Sequence, residues 1–148
     1  MRIALFGDIH ANLEALNAVI EDATAQGCEQ WVCLGDIVGY NANPGECLEL
    51  IRSMSCPCVK GNHDEDASGD HSLKSMNPTA ATALEWTRAQ LSEEQRKWLR
   101  GLRMVRQVSD FTIVHSTLDD PQVWGYVTNK FDAMSNFSYQ FTNLCFHG

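Results

Sequence analysis

No stretch of this sequence approaches the roughly 18 consecutive apolar residues of a membrane-spanning helix. The opening residues, MRIALFGDIH, bring an acid and a histidine too early for a secretory signal peptide. Both absences point to a cytoplasmic protein without a membrane partner. Basic charge is scarce as well: 11 Lys and Arg stand against 19 Asp and Glu, for a net charge of −8. That balance excludes strong, general attachment to nucleic acid, which needs a basic face. It leaves room for an anionic substrate where metal ions supply positive charge locally. The 6 cysteines include no CxxC pair. Cys33 and Cys145 lie in apolar runs, and Cys56-Pro57-Cys58 is neither a redox motif nor half a zinc ribbon, so packing is the expected role of the thiols. No repeat, low-complexity tract or linker divides the chain, which reads as one domain spanning 1–148.

What is present is an alternation of short apolar runs and helical patterns. Residues 2–6 (RIALF) read as a buried strand ending at Gly7. Residues 12–25 place Leu13, Leu16, Val19, Ile20 and Ala23 at helical spacing, closed by Gly27. Residues 30–34 (QWVCL) read as a second strand, Pro44 opens a helix through Met54, and residues 56–60 (CPCVK) read as a third strand. A β-α-β-α-β order implies a parallel sheet with right-handed crossovers. Further on, Asn77-Pro78 starts a helix to about Gln90, and Ser92-Glu-Glu-Gln95 is a capping box for another ending near Gly101. Strands are expected over 102–108, 111–115 and 142–147, with partly helical structure over 119–140. Trp86, Trp98, Trp124 and Tyr126 are expected mainly to pack, the last two being the ones placed to wall a substrate pocket.

Polar residues cluster just past the strand ends. Asp8 and His10 follow the first strand, Asp36 the second, and Asn62, His63 and Asp64 the third, while His115 ends a later one. In open α/β sheets ligands bind beyond the carboxyl ends of the strands, so these separated loops are expected to meet. Carboxylate, imidazole and amide donors together suit Mn, Fe, Ni or Zn better than Ca²⁺ or a thiolate zinc site. Two carboxylates brought together repel unless a cation neutralises them. Taken singly, each residue has an ordinary reading as a cap, turn residue or strand-end histidine. Glu65, Asp66, Asp70 and His71 read as a solvated acidic loop. The coincidence changes the weighting: a fixed tetrapeptide such as GNHD occurs by chance in a chain of this length with probability on the order of 10⁻³.

The segments GDIHAN, GDIVGYNANP, KGNHD and HSTLDDP, in this order, resemble the calcineurin-like metallophosphoesterases, in particular a bacterial and archaeal phosphodiesterase-like branch. The resemblance runs from residue 2 to the end of the chain. It implies an α/β sandwich of two β-sheets flanked by helices. It implies two divalent transition-metal ions, manganese being one candidate. Asp8 and His10 would serve one ion, Asp36 would bridge, and Asn62 and His115 would serve the other. His63 corresponds to the family's acid or phosphate-contacting histidine, and Asp64 to a residue that orients it. The implied reaction is phosphoester hydrolysis by a metal-bridging hydroxide, without a phosphoenzyme.

Phosphoprotein phosphatases of the same superfamily carry GDxxDRG and an arginine after the third motif. Here GDIVGYN and GNHDEDA stand instead. This favours a small-molecule or nucleotide-like phosphomonoester or phosphodiester over a phosphoprotein. A Ser/Thr-type phosphoprotein phosphatase and an inactive scaffold for protein contacts remain the alternatives. The family's last motif, GHxH, would begin at Gly148, placing both of its histidines beyond the chain. The expectation is therefore a C-terminally incomplete domain, an incomplete second sheet, and weakened metal binding or lost activity in the 148-residue form. His147 is expected to be a strand residue, the alternative being a substitute ligand.

Overall fold

The computed structural model describes residues 1–73 and 76–148. Two small sheets carry the site. The first pairs β1 (Ile3–Phe6) with β2 (Gln30–Cys33) in parallel, Phe6 opposite Cys33. Between them runs α1 (Leu13–Ala25), capped by the Asn12 side chain accepting from the Ala15 N–H at 3.0 Å and ended by Gly27 at φ +73°. The second sheet has the order β3 (Val105–Val108), β4 (Phe111–Val114), β5 (Leu144–His147). Its β3–β4 hairpin is antiparallel and turns at Ser109, while β5 lies parallel to β4 with His147 opposite Val114. The two sheets match the expected α/β sandwich.

The third expected strand, 56–60, is a correction. It forms two single-residue bridges, Cys58 to Cys33 and Val59 to Arg103. Pro57 has no N–H to give a ladder, and only its carbonyl bonds, accepting from Cys33 at 2.9 Å. The Lys60 N–H then turns to Arg103 at 2.9 Å. The segment therefore divides its backbone groups between two neighbours and ties β2 to the entry of β3.

Helix α2 (Pro44–Met54) packs Cys47, Leu48 and Ile51 into the larger core, with Leu16, Leu84 and Leu99. It leaves through Ser55 in a left-handed conformation. Helix α3 (Asn62–Ser68) stands where a solvated acidic loop is expected from sequence. Its pattern is too short and too polar to show helical periodicity. Helices α4 (Pro78–Gln90) and α5 (Glu93–Arg100) begin at the expected caps, the Ser92–Gln95 box closing at 3.2 and 2.9 Å. Both α4 and α5 contact α3. A smaller core of Val32, Leu34, Val59, Phe111 and Ile113 fills the space between the sheets. Residues 115–143 hold a 3₁₀ turn (Pro121–Val123) and α6 (Lys130–Phe137). Among the described residues no helix is long and apolar enough to cross a membrane.

The thiols behave as packing groups. Cys33, Cys47 and Cys58 are buried, and burial raises the Cys47 and Cys56 thiols to about 11. His71 pairs with Asp66 at 2.8 Å in an exposed position, as a solvated loop histidine would.

Candidate metal centre

The loops that leave β1 and β2 run side by side past the strand ends. The Asp8 N–H donates to the Gly35 carbonyl at 3.0 Å, His10 to Asp36 at 2.9 Å, and Ala11 to Ile37 at 2.9 Å. Asp8, His10 and Asp36 themselves adopt left-handed backbone, at φ of 49°, 48° and 52°. Non-glycine residues held there cost about 1–3 kcal/mol each, and such strain concentrates at functional sites. The effect is to turn three side chains toward one point. Sequence periodicity carries no signal for it beyond the tolerance of Asp for this region.

Asp36 is the centre. Its side chain is buried, and its Oδ1 accepts the His63 N–H at 2.9 Å. Its Oδ2 faces His10 Nε2 at 3.6 Å and His115 Nε2 at 3.5 Å. One carboxylate oxygen thus stands between two imidazoles from different parts of the chain. The other ring nitrogen of each is anchored the same way. His10 Nδ1 lies 3.3 Å from the Val38 carbonyl, and His115 Nδ1 lies 2.8 Å from the Leu34 carbonyl. A carbonyl at Nδ1 keeps the proton there and leaves the Nε2 lone pair for a cation. Asp8 Oδ1 lies 3.6 Å from His10 Nε2, and Asn62 Oδ1 lies 3.3 Å from His115 Nε2.

The distances form two groups that share Asp36. Ligand atoms of His10, Asp36 and His63 lie within 4.8 Å of one another, as do those of Asp8, Asp36 and His115. All the sequence-derived ligand candidates meet here, with Asn62 beside His115. The grouping places His63 with His10, whereas the sequence resemblance pairs Asp8 with His10.

The donor set fits a divalent cation. Every partner around His115 is an acceptor: the Leu34 carbonyl, Asn62 Oδ1 and Asp36 Oδ2. Burial would lower this imidazole, but the Asp36 hydrogen bond and charge outweigh it and carry the group up to about 9. In the metal-free chain a proton therefore occupies the place that a metal would take. Burial opposes ionisation of Asp36, yet His115 and His63 together hold its carboxyl below the usual range. The buried His63 Nδ1 has no hydrogen-bond partner among the described residues. Burial lowers its imidazole, against the pull of Asp36.

Asp64 is fully buried, and its carboxylate accepts from backbone N–H groups. Oδ1 accepts from Ile37 at 2.9 Å and Val38 at 3.2 Å, and Oδ2 accepts from Gly61 at 3.0 Å. Burial and Asp36 push it up to about 7 against those three N–H groups. It clamps the α3 N-terminus to the loop carrying Asp36.

A cavity of about 300 Å³ lies over these groups. Trp124, Tyr126, Val127 and Thr128 wall it, which assigns Trp124 and Tyr126 to the pocket rather than to packing. Tyr40 joins them; its ring lies 4.4 Å from that of His63 and 4.8 Å from that of His10. Sequence reasoning missed Tyr40, although GDIVGY places it four residues after Asp36. Among the described residues no Lys or Arg lines the cavity. His147 sits on β5 as a strand residue with Nδ1 donating to the Ser116 carbonyl at 2.7 Å, and it also borders the cavity. It belongs to neither ligand group.

The sequence model for calcineurin-like phosphoesterases matches residues 1–148. The chain belongs to that family. An uncharacterized protein of Methanocaldococcus jannaschii is 42% identical over 129 residues, which cover 84% of this chain and 53% of the relative. A metallophosphoesterase structure from Sphaerobacter thermophilus is 42% identical and superposes with a TM-score of 0.86, over 100% of this chain and 60% of that one. A hypothetical protein from Pyrococcus horikoshii shares the fold at 21% identity and a TM-score of 0.77, over 92% of this chain and 64% of that one. The chain thus spans about half to two-thirds of the length of these relatives. Phosphoesterases of this family use divalent metals, which agrees with the donor set described above.

Proposed function

We propose that this phosphoesterase chain carries the centre of a dinuclear, metal-dependent hydrolase acting on a small-molecule or nucleotide-like phosphoester. The observation that carries the reading is the position of Asp36 Oδ2, at 3.6 Å from His10 Nε2 and 3.5 Å from His115 Nε2. A shared carboxylate oxygen with an imidazole on either side would offer donors to two neighbouring cations.

Asp8, His10, Asp36, Asn62 and His115 would hold the ions, with His63 near the first group. Bound ions of the Mn, Fe, Ni or Zn type would supply positive charge to the phosphate and make a water acidic enough to attack it. The chain's own residues do the rest. The Val38 and Leu34 carbonyls fix the tautomers of His10 and His115. His63 carries an N–H for the leaving oxygen, on a ring held between His10 and Tyr40. Trp124 and Tyr126 shield one side of the cavity from water. With no Lys or Arg on the wall, a phosphate is gripped through the cations and imidazoles. That favours a compact diester or nucleotide over a phosphoprotein surface.

Metal content and hydrolysis of bis-p-nitrophenyl phosphate by the purified chain test the reading. Uptake of Mn²⁺ or a neighbouring transition metal is expected, reversed by EDTA, and any turnover is expected to depend on that metal. Absence of uptake with each of Mn²⁺, Fe²⁺, Ni²⁺ and Zn²⁺, or turnover that survives EDTA, would refute it.

A further inference from the structure

Next to the metal-site cavity, α4 presents Pro78, Thr79, Thr82, Ala83 and Trp86 along one face, and Tyr40 closes the recess they form. Tyr40 also lines the cavity itself. The two spaces are therefore neighbours across a single aromatic ring. Trp86 and Tyr40 are 43% and 55% exposed, so both rings are open to a ligand from solvent. Tyr40 is not free to fold away. It follows Gly39 at φ +98°, sits at φ +61° itself, and leans on the His63 and His10 rings.

Among the described residues no charged side chain lines the recess. Those residues offer a second phosphate or a carboxylate no cation. A flat, uncharged group finds an indole, a phenol, the Thr79 hydroxyl and the Thr82 hydroxyl, which donates to the Pro78 carbonyl at 2.9 Å and keeps its lone pairs for an exocyclic amino group. Aromatic faces of this kind bind nucleobases with little regard to base identity.

We infer that Tyr40 and Trp86 form a nucleobase subsite, so that the substrate is a nucleotide whose phosphate lies at the metal centre and whose base lies on α4. This rests on the phosphoesterase reading for the phosphate end alone. Thr79 and Thr82 give the subsite its polar edge. Trp124 and Tyr126, on the cavity wall, are left to the other substituent of the phosphate.

Dissociation constants of adenosine 5′-monophosphate and ribose 5-phosphate, measured by calorimetry on the Mn²⁺-loaded protein, test the subsite. The nucleotide is expected to bind about 10-fold more tightly, the usual scale of one stacked base. Trp86→Ala is expected to remove most of that difference, and Trp86→Phe to restore it. Trp86 is half exposed on a helix, so neither variant endangers folding. Equal dissociation constants for the two ligands, or a difference that survives Trp86→Ala, would overturn the inference. The binding ratio needs no turnover. A chain that binds the nucleotide preferentially but takes up no metal would therefore overturn the phosphoesterase reading and leave the subsite standing.

Discussion

Asp36 Oδ1 occupies the space that a Cβ on Gly61 would need. The two residues are neighbours because Oδ1 accepts the His63 N–H at the first turn of α3, whose N-cap is Gly61. The glycine at this point is required by close approach, not by a left-handed turn. Gly61→Ala is expected to push the carboxylate away and to destabilise the fold by about 1–3 kcal/mol, the scale of overpacking in a tight site. Thermal melting with and without metal checks this. An unchanged melting temperature in both conditions would show that the contact yields easily.

Asp64 supports the same junction from below. Asp64→Asn replaces one acceptor oxygen with an NH₂ group facing backbone N–H donors from Ile37, Val38 or Gly61. The expected loss is about 1–3 kcal/mol of stability, the cost of an unsatisfied buried group. KM for bis-p-nitrophenyl phosphate is expected to move little in the folded fraction. A large KM increase with unchanged stability would return Asp64 to the substrate's side of the site.

His63 is separable from the other imidazoles. Removing a positioned proton donor lowers rates by about 10²–10⁴-fold. His63→Gln is expected to fall in that range while keeping the metal content of the parent protein. Atomic-absorption analysis beside the rate measurement decides between roles. Loss of one ion per chain would make His63 a ligand, as its grouping with His10 and Asp36 permits.

The metal-free chain should weaken as pH rises. His115 lies at about 9 in the fold, above its ordinary value of 6.5, so its contribution is present below pH 6.5 and lost through pH 9. Asp64, raised from 3.8 to about 7, acts in the same direction at lower pH. Asp36, held below the usual range, contributes in the opposite sense, but only in acid. Melting temperature in EDTA is therefore expected to fall between pH 6.5 and 9. Saturating Mn²⁺ should remove most of that fall, because a bound ion takes the place of the His115 proton. A flat or rising profile in EDTA would contradict this electrostatic picture.

Much of the site was legible because its parts lie at strand ends that apolar runs and glycines mark. Gly7-Asp8, Gly35-Asp36 and Gly61-Asn62 announce three turns, and the parallel order brings them together. The capping residues Asn77 and Ser92 likewise act through contacts within a few positions of themselves. What escaped depends on longer-range contacts or on backbone geometry. Residues 62–68 are helical because Asp64 and Asp36 tie their first turn, not because of any periodic apolar face. The segment around Pro57 lost its place as a strand to bridges on two sides. The left-handed backbone at His10 and Tyr40 leaves no mark in composition or spacing.

The central claim is that Asp36 is shared by two metal ions, and metal stoichiometry of Asp36→Asn tests it most directly. After loading with Mn²⁺ and removal of free ion, the parent chain is expected to hold two ions. The variant is expected to hold at most one, with hydrolysis of bis-p-nitrophenyl phosphate reduced by at least about 10²-fold, as for loss of a principal electrostatic contact in a dry site. Two ions retained in the variant, with hydrolysis unchanged, would contradict the account.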